Sequence, residues 1–175
     1  MHNFKQILFP VDLSDSAAKI VPYVKLMIEK FDCRLHLLFV ARVFEYFTGM
    51  YVPPPSVTDF ERQIVDGGQK RLYEFADEHF KDLEHTKTTV VSGDAAEGIL
   101  KYIDSTRIDL IIMGTHGRKG LDKVIFGSVA DRIVRSSPVP VLVVTPTKFN
   151  NPANPKHTHV MGLPAVDRIG QIKDG

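Results

Sequence analysis

A short glycine-rich segment contains the residues whose types and spacing point most directly to chemistry. Gly114, Gly117 and Gly120 follow an apolar run, and Gly127 and Ser128 precede a stretch with helical periodicity. Glycine lets backbone N–H groups approach a ligand closely, and the amino end of a helix offers unpaired N–H donors that suit phosphate. The Walker A and G-x-G-x-x-G patterns are both absent. Two interpretations therefore remain open on these grounds, a phosphate-binding loop and an ordinary glycine-rich turn.

No catalytic motif accompanies this segment in the sequence. G-x-S-x-G, H-E-x-x-H and paired carboxylates in a motif are all missing. Cys33 has no adjacent His-Asp partner, so it is predicted to be a buried structural thiol. His157 and His159 alone fall short of a metal-ligand set. A nucleotide site without a placed base or arginine finger predicts slow or negligible hydrolysis.

The elements that must position the glycine-rich segment alternate along the chain. Continuous apolar runs are typical of strands buried on both faces, and apolar residues at helical spacing lie between them. Strict alternation predicts an α/β fold with a parallel sheet and helices on both faces. In such sheets, ligands bind at the carboxyl ends of strands where the strand order reverses, which directs attention to the loops after Val11, Val40 and Met113. The predicted strands are 6–12, 35–41, 88–91, 110–113 and 139–144, and the predicted helices are 17–31, 57–80, 94–106 and 128–136.

The glycine spacing resembles the nucleotide-binding signature of the universal stress protein family, in its ATP-binding branch. Gly114-x-x-Gly117 is followed by nine residues and then by Gly127-Ser128. Segments 7–14, 109–117 and 137–144 resemble the family's opening strand, its fourth strand with the following turn, and its last strand. The resemblance covers about residues 4–146 and implies a single Rossmann-like open sheet of five parallel strands in the order 3-2-1-4-5.

The resemblance also implies a nucleotide site. Asp12 matches the acidic residue on the adenine side, although it could instead cap the following helix. His116 could equally be an exposed loop residue, and Ser128 is expected to be a helix N-cap in either case. ATP is the implied ligand, and a bridging Mg²⁺ or Mn²⁺ is compatible with it although no carboxylate cluster fixes one. The implied site comprises Pro10, Val11, Asp12 and Val40 on the adenine side, Met113 and Gly114 at the ribose, and Gly117, Gly127, Ser128 and Val129 at the phosphates, with His116 and Arg118 close enough to help neutralise charge.

The composition of the last predicted strand predicts how two copies of the chain associate. It is almost wholly apolar and is expected at a sheet edge, and exposed apolar edges are normally covered or paired. The resemblance implies that it pairs with its twin across a two-fold axis, giving a homodimer through Val139, Val141 and Val143. Pro138 and Pro140 lack N–H donors, which limits how far such pairing can extend.

Composition bounds the class of protein. The chain has 175 residues, of which 43% are hydrophobic and 25% charged, as expected for one globular domain. The net charge of +1 gives no support to nucleic-acid binding. No apolar run approaches the roughly 18 residues of a membrane span, and neither a signal-peptide layout nor a disulfide pair is present, so a cytoplasmic location is expected.

The organisation predicted along the chain is a nucleotide-binding domain over 1–147 followed by a Pro/Asn-rich tail over 148–175. The tail is interpreted either as mobile or as a segment that packs on its own domain or on a neighbouring subunit. Loop 42–56 and the tail are the candidate surfaces for a protein partner. The favoured function is a dimeric, ATP-binding stress-response module with slow or no hydrolysis.

Two alternative functions remain. One is an ATP- or AMP-dependent enzyme on the same fold, which would resemble a different signature, an S-G-G-x-D-S loop after the first strand. Residues 12–16 contain no glycine, which counts against this alternative. The other is a dimeric scaffold that has lost nucleotide binding, and the intact Gly-Ser loop counts against it.

Overall fold

Strands and helices alternate along the chain in the predicted order. The computed structural model describes residues 4–42, 55–115 and 127–145. The described elements are β1 (Gln6–Val11), α1 (Asp15–Ala18), α2 (Val21–Phe31), β2 (Arg34–Ala41), α3 (Pro55–Phe80), β3 (Thr86–Ser92), α4 (Ala95–Ser105), β4 (Leu110–Gly114), α5 (Ser128–Ser136) and β5 (Val141–Val144).

The five strands form one parallel sheet in the order β3-β2-β1-β4-β5. Ile7 of β1 is in register with Leu35 of β2 on one side and with Leu110 of β4 on the other. The strand order therefore reverses at the boundary between β1 and β4. The sequence-based prediction of fold and strand order is confirmed, and β5 lies at a sheet edge.

The sheet separates two apolar clusters because successive strand side chains point to opposite faces. Ile7 and Phe9 pack with α2 and α3 on one face, where Leu72 and Phe80 are buried. Leu8, between them in sequence, packs on the other face against α4 and α5. The connections β1–β2 and β2–β3 thus cover one face, and the crossovers through α4 and α5 cover the other.

Helix α3 approaches the sheet closely at a glycine. A Cβ on Gly68 would lie 2.9 Å from the Phe39 ring, whereas a Cβ on Gly67 would meet nothing within 4 Å. The two glycines, each of which costs a helix about 1 kcal/mol relative to alanine, therefore have different surroundings. Among the helices of the described ranges, α3 included, none is both long and apolar enough to cross a membrane.

Several element boundaries differ from the predicted ones for local reasons. The predicted helix 17–31 is two helices, and Pro22 falls in the first turn of α2, where its missing N–H needs no helical partner. The last strand begins at Val141, so Val139 lies before it. Ser137 Oγ accepts the Val139 N–H at 3.1 Å and donates to the Val139 carbonyl at 2.7 Å, which bends the chain ahead of β5.

Candidate functional site

A cavity of about 840 Å³ lies at the carboxyl ends of β1, β2 and β4. This position is the point where the strand order reverses, as expected for ligand sites in open α/β sheets. Its walls come from both layers of helices. Strand ends form its floor, α3 lies on one side, and the amino-terminal parts of α4 and α5 lie on the other.

Nine of the twelve residues predicted for the site line this one cavity. The other three, His116, Gly117 and Arg118, lie outside the described residues. Loop 42–56 lies largely outside them too, and the 148–175 tail does so entirely. The residues brought together are Pro10, Val11, Asp12, Val40, Met113, Gly114, Gly127, Ser128 and Val129.

The Asp12 side chain is held by hydrogen bonds in a short turn that it forms with Ser14. Its Oδ1 accepts the Ser14 N–H at 3.1 Å and the Ser14 hydroxyl at 2.6 Å. Leu13 between them has a φ of 57°, a left-handed conformation that non-glycine residues seldom adopt. The N-cap of α1 is Ser14, so Asp12 does not occupy the capping position considered for it. The turn instead fixes the carboxylate at the rim of the cavity.

The amino end of α5 lies at the cavity, and a glycine is its N-cap. Gly127, not Ser128, is the N-cap, so the prediction for Ser128 is wrong by one position. The Gly127 N–H donates to the Thr115 carbonyl at 2.7 Å, and the first helical bond runs from the Asp131 N–H to the Gly127 carbonyl. Ser128 and Val129 therefore contribute first-turn N–H groups at the positive end of the helix dipole.

An ion pair between α4 and α5 holds the amino ends of these two helices together. Arg132 Nη1 lies 2.9 Å from Asp94 Oδ1, and the same oxygen accepts the Glu97 N–H as the N-cap of α4. The amino ends of α4 and α5, which both contribute to the cavity wall, are thereby tied together. Both charged side chains are substantially exposed, so the bond orients the helices more than it stabilises them.

The α3 side of the cavity was not predicted from the sequence. The consecutive glycines within a long helical pattern were its only visible signal. Gln63, Gly67 and Arg71 stand at i, i+4 and i+8, a spacing that places them on one helical face. The unpredicted lining residues that concern the site most are Arg42, Gln63, Ile64, Gly67, Gly68 and Arg71.

Two other groups capable of chemistry lie away from the cavity. Cys33 is half-buried, its Sγ donates to the Phe4 carbonyl at 3.1 Å, and burial, with Asp109 adding to it, raises the pKa of the thiol. This favours the protonated, unreactive form. His36 is buried beside Tyr102. Within the described ranges, no group of three or more His, Cys, Asp or Glu residues could hold a metal ion.

Known proteins share this fold and are similar to this chain in sequence. A family model described as the universal stress protein family matches residues 3–145. Universal stress protein MJ0531 from Methanocaldococcus jannaschii is 28% identical over 149 residues, which cover 83% of this chain and 84% of that protein. The solved structure of MJ0577, from the same organism, has a TM-score of 0.68 at 28% identity and covers 82% of this chain and 97% of its own.

A more distant structure shares the fold. A universal stress protein family member from Arabidopsis thaliana, solved with AMP bound, has a TM-score of 0.55 at 18% identity and covers 86% of this chain and 99% of its own. The family model spans most of the chain, and the sheet order and cavity position agree with the resemblance seen in the sequence. The chain therefore belongs to the universal stress protein family.

Proposed function

We propose that this chain is an adenine-nucleotide-binding regulatory module of the stress response, with ATP as its ligand and slow or no hydrolysis. The observation that carries the proposal is the convergence of Asp12, Val40, Gly114 and Gly127, from four separate segments, on one cavity where the strand order reverses. The relative from Arabidopsis thaliana holds AMP on the same fold, which supports an adenine nucleotide as the ligand class.

In this proposal the nucleotide lies across the strand ends. Adenine contacts Asp12 and Val40 together with the neighbouring Pro10 and Val11, and the ribose lies at Met113 and Gly114. The phosphates meet the first-turn N–H groups of α5 at Ser128 and Val129, and Gly127, with no side chain, leaves room for them beside the helix amino end, which stabilises negative charge. His116, Gly117 and Arg118, in the segment before α5, complete the phosphate side.

Binding rather than turnover is the proposed role of the site. Asp12 is the sole carboxylate among the described residues that line the cavity. It belongs to the adenine side, away from the phosphates. In this proposal a Mg²⁺ or Mn²⁺ ion that accompanies ATP is carried by the nucleotide phosphates and water, as hard divalent ions often are. ATP then acts as a ligand that stabilises one state of the protein.

We further propose a homodimer formed through the β5 edge. Leu142 packs on one apolar cluster and Val141 on the other. Val143 is half-buried, and β5 has β4 as its neighbour on one side only. Pairing of two β5 edges would cover this apolar strand. The proposal also takes 1–147 as the nucleotide-binding domain, 148–175 as an appended tail and the cytoplasm as the location.

Thermal unfolding with and without ATP tests the proposed function. We expect the melting temperature to rise with ATP concentration, because a ligand that binds the folded state stabilises it. Radiolabelled ATP incubated with the protein for hours should remain largely intact. Rapid hydrolysis would favour the enzyme alternative. An unchanged melting temperature, with no nucleotide co-purifying, would contradict nucleotide binding and favour the scaffold.

A further inference from the structure

One face of α3 forms a wall of the cavity that the proposed adenine nucleotide leaves unexplained. Gln63, Gly67 and Arg71 all line the cavity and lie at successive i+4 positions. With a rise of 1.5 Å per residue, the two outer positions are about 12 Å apart along the helix. The wall therefore presents an amide and a guanidinium on either side of a residue without a side chain.

Gly67 forms a notch in this wall. The absence of a side chain at Gly68 is explained by packing, since a Cβ there would lie 2.9 Å from the Phe39 ring. At Gly67 a Cβ would meet no atom within 4 Å, so no described protein group requires the glycine. A glycine inside a helix destabilises it, and the space in front of Gly67 belongs to the cavity. Gly67 therefore leaves room for a ligand to approach the helix backbone.

Two arginines are among the described residues that line this part of the cavity. Arg71 Nη2 lies 3.4 Å from the Leu13 carbonyl, which places the guanidinium beside the turn that holds Asp12. Arg42, directly after β2, is a second cation on the lining. In the described part of the chain, neither guanidinium lies within 4.0 Å of a carboxylate. A guanidinium has five N–H donors, so most of those on Arg71 remain available to an anion.

We propose that this wall is a second anion subsite, and that the ligand is an adenine nucleotide with a further phosphate on its ribose. This inference rests on the proposed function. Helices α3 and α5 pack on opposite faces of the sheet, so their ends of the cavity lie across the strand ends from each other. With the 5′ phosphates at α5, the base at Asp12 and the ribose at Gly114, this proposal directs a 2′ or 3′ oxygen of the ribose across the strand ends toward Arg71, which lies beside Leu13. Arg71 contacts the additional phosphate, and Gly67 lets it approach the helix.

Isothermal titration with AMP, adenosine 2′,5′-bisphosphate and adenosine 3′,5′-bisphosphate tests the subsite. We expect one bisphosphate to bind about tenfold more tightly than AMP, as a charge-assisted contact with a guanidinium gives. Arg71→Met should reduce this preference to near one. Lys70→Met is the matched control, because Lys70 is the exposed neighbouring cation of α3 and does not line the cavity. Gly67→Leu, which raises helix propensity and fills the notch, should also abolish the preference.

The outcomes separate this subsite from the proposed function. Equal affinity for AMP and both bisphosphates would overturn the subsite and leave adenine-nucleotide binding intact. A preference for a bisphosphate that survives in the folded Arg71→Met variant would also overturn it. Failure of all three nucleotides, and of ATP, to bind would overturn both.

Discussion

Gly127 and Thr115 join the two ends of the segment that leads from β4 to α5. The Gly127 N–H donates to the Thr115 carbonyl at 2.7 Å, and a Cβ on Gly127 would lie 3.1 Å from the same oxygen. The backbone at Gly127 has a φ of −69° and a ψ of 152°, values open to any residue. The glycine is therefore required by close approach and not by its conformation.

Gly127→Val should greatly reduce ATP affinity while leaving the protein folded. The added side chain crowds the Thr115 carbonyl and displaces the N–H groups that meet the phosphates, and we expect at least a tenfold loss, about 1.4 kcal/mol. Titration calorimetry measures the affinity, and circular dichroism checks the fold. Normal ATP binding by the folded variant would mean that the phosphates bind elsewhere.

Ser128→Ala should weaken ATP binding through loss of a single hydroxyl. Ser128 is the exposed first residue of α5 and lines the cavity. A hydrogen bond to a charged group contributes about 1.5–3 kcal/mol, which corresponds to at least a tenfold loss of affinity. Ser136→Ala, at the other end of the same helix, is the matched control and should bind as the wild type does. Equal affinities in the two variants would remove Ser128 from the phosphate site.

Replacing the two consecutive glycines of α3 should change stability in opposite directions. Gly68→Ala places a Cβ 2.9 Å from the Phe39 ring, and we expect a loss of about 1–3 kcal/mol from overpacking. Gly67→Ala meets no atom and should raise the free energy of unfolding by about 0.5–1 kcal/mol. Urea unfolding of both variants measures the difference. Similar effects at the two positions would contradict the packing of α3 on Phe39.

Val143→Glu should convert the proposed dimer to a monomer. A carboxylate on β5 would have to be buried between two apolar strands, which is costly without a partner charge. Sedimentation equilibrium measures the molecular mass. Leu26→Glu is the control, since Leu26 is 60% exposed on α2, which covers the opposite face of the sheet from Val141. A wild-type chain that sediments as a monomer with and without ATP would exclude the dimer.

The free energy of unfolding should fall as the pH is lowered below about 6.5. Burial lowers the pKa of His36, with Lys87 and Arg34 adding to the effect, and its Nδ1 lies 2.9 Å from Tyr102 Oη. Below the ordinary value of 6.5, the unfolded chain takes up a proton that the folded chain does not. The slope from this one group reaches at most about 1.4 kcal/mol per pH unit. The full contribution of neutral His36 to the free energy of unfolding is present above pH 6.5.

Urea unfolding between pH 5 and pH 8 measures this dependence. His36→Gln removes the titrating group and should flatten the profile. His85→Gln replaces an exposed histidine and should leave the profile as in the wild type. An unchanged slope in His36→Gln would show that other groups carry the pH dependence.

The sequence predicted the fold well because its signals are local. Apolar runs such as 7–11 identify strands buried on both faces, and the family resemblance supplied their order. Boundaries depend on finer interactions, as where Ser137 bonds with Val139 and delays the start of β5. The α3 wall could not be predicted, since Arg71 approaches Leu13 across 58 positions of sequence and only tertiary packing brings them together.

The sheet keeps two apolar clusters apart, and the cavity at its carboxyl edge is where walls from both helical layers meet. A ligand bound in this cavity would contact both α3 and α5 across the strand ends. Local unfolding of either helical layer would then also require release of the ligand. Local unfolding on one face of the sheet would therefore be coupled to local unfolding on the other. Amide hydrogen exchange should accordingly slow in both helices together when nucleotide is added.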